Sequence, residues 1–373
     1  MHASRSERGP ASAMSRLIAA GDVEDLARGC ALLGAGGGGD TSVGRLMMLQ
    51  AISDFGPVTL VGVDELDTDA LVMPCGMVGA PTVATEKFES GDEGARLRQE
   101  VERLRGEPVA CLMPAEIGGS NGLLPFVWAA RLSLPVLDAD GMGRAFPEIP
   151  QVAMHLAGIS PSPAVMTDER GNVAVFRACS GAWLERLERA TAVEFGGSAA
   201  STEYCMTAGE ARRAAIHGSV TRALGIGKLR LGGEGNLVDE LVIRAGGFIL
   251  LFGKVADVER RTSAGFVRGS VVVEGTGSDA GRLLRLELQN ENLVAFEGGE
   301  LRACVPDLIS VVDVETGDAI STERLRYGHR VAVLGLPCDP LWRTEGGLGL
   351  VGPRAFGYDL DYQPIEELVD ADR

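Results

Sequence analysis

DVEDLARGCALLGAGGGGD, residues 22–40, decides how the first half of this chain is read. Gly34, Gly36 and Gly39 have the G-x-G-x-x-G spacing that brings backbone close to a pyrophosphate. That fingerprint works only where a strand enters and a helix leaves, so that the helix N-terminus faces the phosphate. Here the entering segment has a helical pattern: Val23, Leu26, Ala27, Cys30, Ala31 and Leu33 recur along one face. On the far side, Asp40 or Thr41 caps a second helix carrying Val43, Leu46, Met47 and Met48. The readings are a plain helix-turn-helix, a nest of free amides for an anionic substrate group or, least favoured, a nucleotide loop.

At 373 residues the chain is about twice the usual domain length, so two domains are expected. A hydrophobic content of 45% and a mean hydropathy of +0.11 mark a globular protein. No apolar run reaches the length that crosses a bilayer, and MHASRSERGPASAMS lacks the apolar stretch of a signal peptide, so no membrane association is expected and residues 1–14 read as a disordered tail. A net charge of −17 repels a phosphate backbone, which argues against nucleic acid as a partner. The seven cysteines are dispersed without a C-x-x-C, as in a protein with reduced thiols in the cytoplasm. His2, His155, His217 and His329 lie far apart, which disfavours a histidine metal centre and leaves a carboxylate site open; no metal and no cofactor are expected.

Residues 15–180 alternate strand and helix patterns. PVTLVGV (57–63), ALVMP (70–74), PVACLMP (108–114) and PVLDAD (135–140) read as strands; EGARLRQEVERLRG (93–106), LLPFVWAARLS (123–133) and PEIPQVAMHLAG (147–158) read as helices. This predicts a three-layer α/β domain on a mostly parallel sheet. VMTDERGNVAVF (165–176) reads as a hairpin turning at Gly171 and Asn172. Residues 181–373 read as a second domain, helical to about 225, with a Thr207–Glu210 capping box, and then a series of short β runs of sandwich or barrel type. His155 and His217 fall on the predicted helices, as boundary residues rather than ligands. No repeat or low-complexity linker separates the two halves, which predicts a substantial interface between them.

Three strands of the first domain end in loops of one character: MPCGMVGAPTVATEK (73–87), MPAEIGGSNGLLP (113–125) and LDADGMGRAFPE (137–148). Ligands of open parallel sheets bind at the carboxyl ends of strands, so these loops should converge. Joined by GAGGGGD, they would offer Glu86, Lys87, Glu116, Gly119, Ser120, Asn121, Asp138, Asp140, Arg144 and Glu148 beside the amides of Gly36, Gly37, Gly38 and Gly39 and the carboxylate of Asp40.

GAGGGGD, GMVGAPTVATEK (76–87), AEIGGSNGLLP (115–125), DADGMGRAFPEIPQ (138–151), PDLISVVDVETG (306–317) and WRTEGGLGLVGPRAFGYD (342–359) also resemble the S-methyl thiohydantoin desulfurase family, associated with hydantoinase/oxoprolinase proteins. The resemblance covers nearly the whole chain and implies an α/β part followed by a β-rich part, with a hydrolysis that releases methanethiol and leaves a hydantoin. Water addition to the C2 carbon of such a ring needs a base, a donor to the ring nitrogen and dipoles for the tetrahedral intermediate. Chemistry assigns Asp138 or Asp140 as base, Glu116 as nitrogen partner, and Asn121 with the loop amides as donors. A rival route puts Cys75 on C2 as nucleophile. The C-terminal segment 342–359 is expected to close over the site as a lid, with Arg354 neutralising a substrate carboxylate. The expected partners are a small cyclic substrate and further copies of the chain in a homo-oligomer; the reading of a different class makes the chain a non-catalytic partner of a hydantoinase-like enzyme. No G-x-x-x-x-G-K-[ST] occurs to suggest ATP dependence.

Overall fold

The computed structural model describes residues 15–80, 83, 87, 89–228, 236–263 and 266–370. The expected tail 1–14 and Glu86 lie outside the described residues.

Two helices flank the glycine loop: α1 (Val23–Leu33) enters it and α2 (Thr41–Phe55) leaves it. The Asp40 carboxylate caps α2 by accepting from Ser42 N at 2.8 Å. A helix therefore occupies the place where a dinucleotide site has its strand.

The N-terminal sheet is built from β1 (Arg16–Ile18), β2 (Val58–Val61), β3 (Leu71–Gly79), β4 (Val109–Pro114) and β5 (Val136–Leu137). After β6 (Ala139–Asp140), it continues with β7 (Ala164–Thr167), β8 (Val173–Phe176), β9 (Ser198–Thr202) and β10 (Met206–Thr207). Its order is β1-β2-β5-β4-β3-β9-β7-β8, with β10 also paired to β3. The block β2, β5, β4, β3 is parallel, as the alternating pattern predicts, and β9, β7 and β8 extend it antiparallel. PVLDAD splits: β5 joins the main sheet, while β6 pairs with β11 (Ile216–His217). The helices are α3 (Glu93–Arg105), α4 (Leu124–Leu132), the short α5 (Ala153–Leu156), α6 (Gly181–Glu194), α7 (Ala208–Ala214), α8 (Ser219–Gly227) and α9 (Leu237–Ala245). The capping box at Thr207 and Glu210 is present, but the run it opens breaks into α7, β11 and α8, so His217 stands on an exposed strand. His155 lies on α5.

The C-terminal sheet has seven antiparallel strands: β12 (Phe248–Ser263), β13 (Phe266–Gly275), β14 (Leu283–Gln289), β15 (Glu291–Glu297), β16 (Glu300–Cys304), β17 (Leu308–Asp313) and β18 (Arg330–Leu336), in the order β16-β15-β14-β13-β12-β18-β17. It curls into a half-barrel, and Asn292 of β15 reaches across to the Ile309 carbonyl of β17 at 3.0 Å. Strands β17 and β18 read as unbroken apolar runs because both their faces are covered. Ile309, Val311, Val331 and Val333 fill the barrel interior, while Leu308, Val312, Ala332 and Leu334 join the core of the N-terminal unit. Ser310 Oγ donates to Leu32 O of α1 at 2.7 Å across this contact. The chain ends in α10 (Glu345–Val351) and α11 (Ile365–Asp370).

Strand β9 sits between β3 and β7, and α8 packs on α1, so the N-terminal sheet takes structure from well beyond residue 181. The α1–α8 contact depends on the missing side chain of Gly29, where a Cβ would lie 1.9 Å from Ala223 O. Gly29→Ala is expected to cost at least about 1–3 kcal/mol, read as a lower melting temperature; an unchanged melt would show that α8 does not pack there.

Candidate functional site

The carboxyl ends of β3 and β4, the segment after β6 and the glycine loop meet in one cleft of about 250 Å³. The C-terminal unit closes its far side with Asn290, Glu291 and Arg324. The loop carbonyls are tied back by hydrogen bonds. Ala35 O accepts from Asn292 N (2.9 Å), Gly36 O from Thr322 N (2.9 Å), Gly38 O from Asn121 N (3.2 Å) and Gly39 O from Ser120 N (3.0 Å). The N–H groups of the cleft-lining Gly38, Gly39 and Asp40 make no hydrogen bond among the described residues, which suits an anion or a developing negative charge. Gly38 has a φ of +73° and lies against Gly118 O, where a Cβ would sit 2.1 Å away. At Gly37 a Cβ would stand 2.0 Å from Glu291 Oε1, so glycine there makes room for that carboxyl.

Glu116 and Asn121 form the floor. Asn121 donates from Nδ2 to Glu116 Oε1 at 2.7 Å and accepts Met77 N at 2.8 Å, which fixes its amide orientation. The other Glu116 oxygen accepts from Phe146 N at 3.3 Å. Burial pushes the Glu116 carboxyl up from 4.5 to about 8 against these two donors, and the Asp140 charge adds to the rise. Glu291, only 2% exposed, is pushed well up by burial and by the charge of Glu116; Arg144 opposes the rise, and Glu291 Oε2 has no partner among the described residues.

The structure brings Gly38, Gly39, Asp40, Lys87, Glu116, Ser120, Asn121 and Glu148 together around the cleft. Gly36, Gly37 and Gly119 lie behind the wall as packing elements. The base assignment needs correction. Asp138 faces away and caps α8, accepting Thr221 N (3.0 Å) and the Thr221 hydroxyl (2.5 Å). Asp140 is fully buried outside the cleft lining and accepts Ile117 N (2.8 Å), Met142 N (3.0 Å) and Gly143 N (2.7 Å), tying the loop after β4 to the loop after β6. Burial raises its carboxyl to about 6, with the three amides working the other way. Asp140 is therefore a brace.

Arg144 is also buried outside the cleft lining. Its Nη1 donates to Pro306 O (2.7 Å) and Asp307 O (3.0 Å), pinning the two units together beneath Glu291. Arg354 lies on the surface, paired with Asp359 (2.7 Å) and Asp361 (3.0 Å), and does not reach the cleft. The lid reading fails with it: the segment 342–359 folds into α10 and short turns, and Trp342 approaches the site from behind, donating from Nε1 to Met142 O (2.7 Å) and stacking edge-on against the cleft residue Phe146. Cys75 is buried away from the cleft lining, and burial holds its thiol well above its ordinary range, which is no environment for a nucleophile.

Sequence reading missed Glu203, Tyr204, Glu291 and Arg324. Glu291 stands in QNEN (289–292), a polar run that reads as a turn. Its signal is the turn itself: Asn290 alone bridges β14 and β15 at a φ of +57°, which asparagine tolerates. Arg324 pairs with Asp40 at 2.5 Å. Among the described residues, no group of three or more His, Cys, Asp or Glu side chains is arranged to hold a metal ion, and no helix is long and apolar enough to cross a membrane.

An α/β unit and a curled antiparallel sheet that jointly enclose a carboxyl-lined cleft define a two-domain protein with an interdomain site. The chain belongs to the S-Me-THD-like family, the S-methyl thiohydantoin desulfurase family that its loops resemble: the family's N-terminal domain matches residues 21–178 and its C-terminal domain residues 179–365. A structural-genomics crystal structure of a protein from Chromobacterium violaceum has the same fold, with a TM-score of 0.77 and 23% identity over 95% of this chain and 100% of that one. No curated protein matches the chain.

Because the folded chain holds the Glu116 proton to about pH 8 while an unfolded chain releases it near 4.5, this group stabilises the fold at low pH and that contribution is lost as pH rises through about 8. Glu116→Gln should therefore lose less melting temperature than the native chain between about pH 5 and about pH 8. Parallel thermal melts check this, and an identical decline would mean that Glu116 is ionised in the fold.

Proposed function

We propose that the cleft hydrolyses an S-methyl thiohydantoin-like ring, releasing methanethiol and leaving a hydantoin. The family supplies the thiohydantoin-related setting, and the observation that carries the reaction is Glu116, a cleft carboxyl whose burial keeps its proton at neutral pH. A protonated carboxyl donates to the ring nitrogen and makes C2 electrophilic, which an ionised one cannot do. Asn121 holds Glu116 in place, its amide nitrogen committed to Glu116 Oε1 and Met77 O, and the amides of Gly38, Gly39 and Asp40 stand where negative charge can be met. A carboxylate on the substrate would find the same amides. Met77, Met142 and Phe146 give the ring an apolar bed.

The test is thiol release by the purified chain alone from an S-methyl thiohydantoin. Glu116→Gln is expected to lose at least about 100-fold in kcat/KM, and Asp138→Asn and Cys75→Ala to stay within about threefold of the native chain. Thiol release only in the presence of a hydantoinase-type partner would overturn autonomous catalysis, and an inactive Cys75→Ala that still folds would restore the covalent route.

A further inference from the structure

A base is still required, since neither Asp138 nor Asp140 reaches the cleft. Strand β9 runs antiparallel to β3 with Ser201 opposite Gly76, and Thr202 Oγ1 donates to Pro74 O at 2.6 Å. Its next residue, Glu203, therefore emerges beside the point where β3 enters the site. Consecutive side chains of a strand face opposite sides. Here Glu203 and Tyr204 both line the cleft, because Tyr204 takes a left-handed φ of +54°. A bulky residue seldom adopts that conformation, which is found where surrounding structure enforces it. Glu203 is 5% exposed and its Oε1 has no hydrogen-bond partner among the described residues. Behind it, fully buried, lies the carboxyl of Glu188 on α6, with both oxygens likewise unpartnered. The nearby cation, Arg189, is already committed to Glu185 at 2.8 Å. Two buried carboxyls in this contact resist ionising together: burial and the Glu203 charge hold Glu188 well above the carboxylate range, while Glu188 works against the burial that raises Glu203, so Glu203 is the member of the pair that ionises first.

The geometry points to Glu203 as the general base that activates water for attack on the ring, with Glu188 as the carboxyl that positions it; the assignment rests on the desulfurase reading above. Strands β4 and β9 flank β3, so the chains carrying Glu116 and Glu203 come to the cleft from either side of β3, and its volume of about 250 Å³ has room for a ring and one water. The Glu203 carboxylate takes a proton as the water oxygen bonds to C2. The C2–N π pair moves to the ring nitrogen, which takes the Glu116 proton. The hydroxyl of the intermediate then returns its proton to Glu116 as the C2–O double bond forms. The C2–S bond breaks with its pair on sulfur, and sulfur takes the proton from Glu203 to leave as methanethiol. Both carboxyls end as they began.

In the thiol-release assay, Glu203→Gln should lower kcat at least about 100-fold with KM within about threefold. In Glu203→Ala, formate, a carboxylate small enough to occupy the vacated space, should restore part of the rate. If neither variant folds, Glu203→Asp keeps the charge on an arm one methylene shorter and should lose at least about tenfold in kcat. An active native chain with unaltered kcat in Glu203→Gln or Glu203→Asp overturns the assignment alone, as does a folded, inactive Glu203→Ala that formate does not rescue. A native chain that releases no thiol overturns the desulfurase reading and the base together.

Discussion

A carboxyl group taken out of water with no cation to meet it keeps its proton, because the alternative is an uncompensated charge in a poor dielectric. The cleft is built around that constraint. Among the described residues its three basic side chains are each already paired: Lys87 with Glu169, Arg189 with Glu185 and Arg324 with Asp40. Burial raises Glu116, Glu203 and Glu291, outweighing Arg144, which opposes it at Glu116 and Glu291, and Glu188, which opposes it at Glu203. Carboxyls that would be uniform acceptors in water thereby become donors and acceptors, the pairing that hydrolysis of a C=N bond requires.

Neither unit makes this environment alone. The α/β sheet supplies the floor and the glycine loop, but Glu291 comes from the start of β15 in the other sheet and enters a space kept open by Gly37. Asn292 and Thr322 hold the first loop carbonyls, Ala35 O and Gly36 O, while Asn121 and Ser120 of the α/β unit hold Gly38 O and Gly39 O, the carbonyls of the peptides whose amides at Gly39 and Asp40 are left unbonded among the described residues. Arg144 and Trp342 carry the same dependence in opposite directions, one reaching from the α/β loops to Pro306 and Asp307, the other from the C-terminal segment to Met142. A shared core running through α1 and β17 makes the two units one mechanical body around the cleft.

The layered α/β half, the helix entering GAGGGGD and the convergence of three strand-end loops were legible because each rests on local periodicity or on a general rule of parallel sheets. The division of roles among carboxylates was not. Asp138 and Asp140 stand two residues apart at a strand end; sequence allows that one caps a helix, but not which one, nor that the other braces loops instead of serving as the base. Glu203 escaped notice because its place depends on β9 being inserted between β3 and β7, a pairing between residues more than a hundred positions apart. Arg354 misled for a related reason: a dense set of recognition-type side chains near the C-terminus looks like a lid until Asp359 and Asp361 are seen to satisfy the arginine at the surface.

The protonation of Glu116 is the claim on which the chemistry turns, and infrared difference spectroscopy reads it directly. Subtracting the Glu116→Gln spectrum from that of the native chain at neutral pH should leave the C=O stretch of a protonated carboxyl, fading as pH rises through about 8. A difference spectrum containing only carboxylate bands at neutral pH would contradict the account.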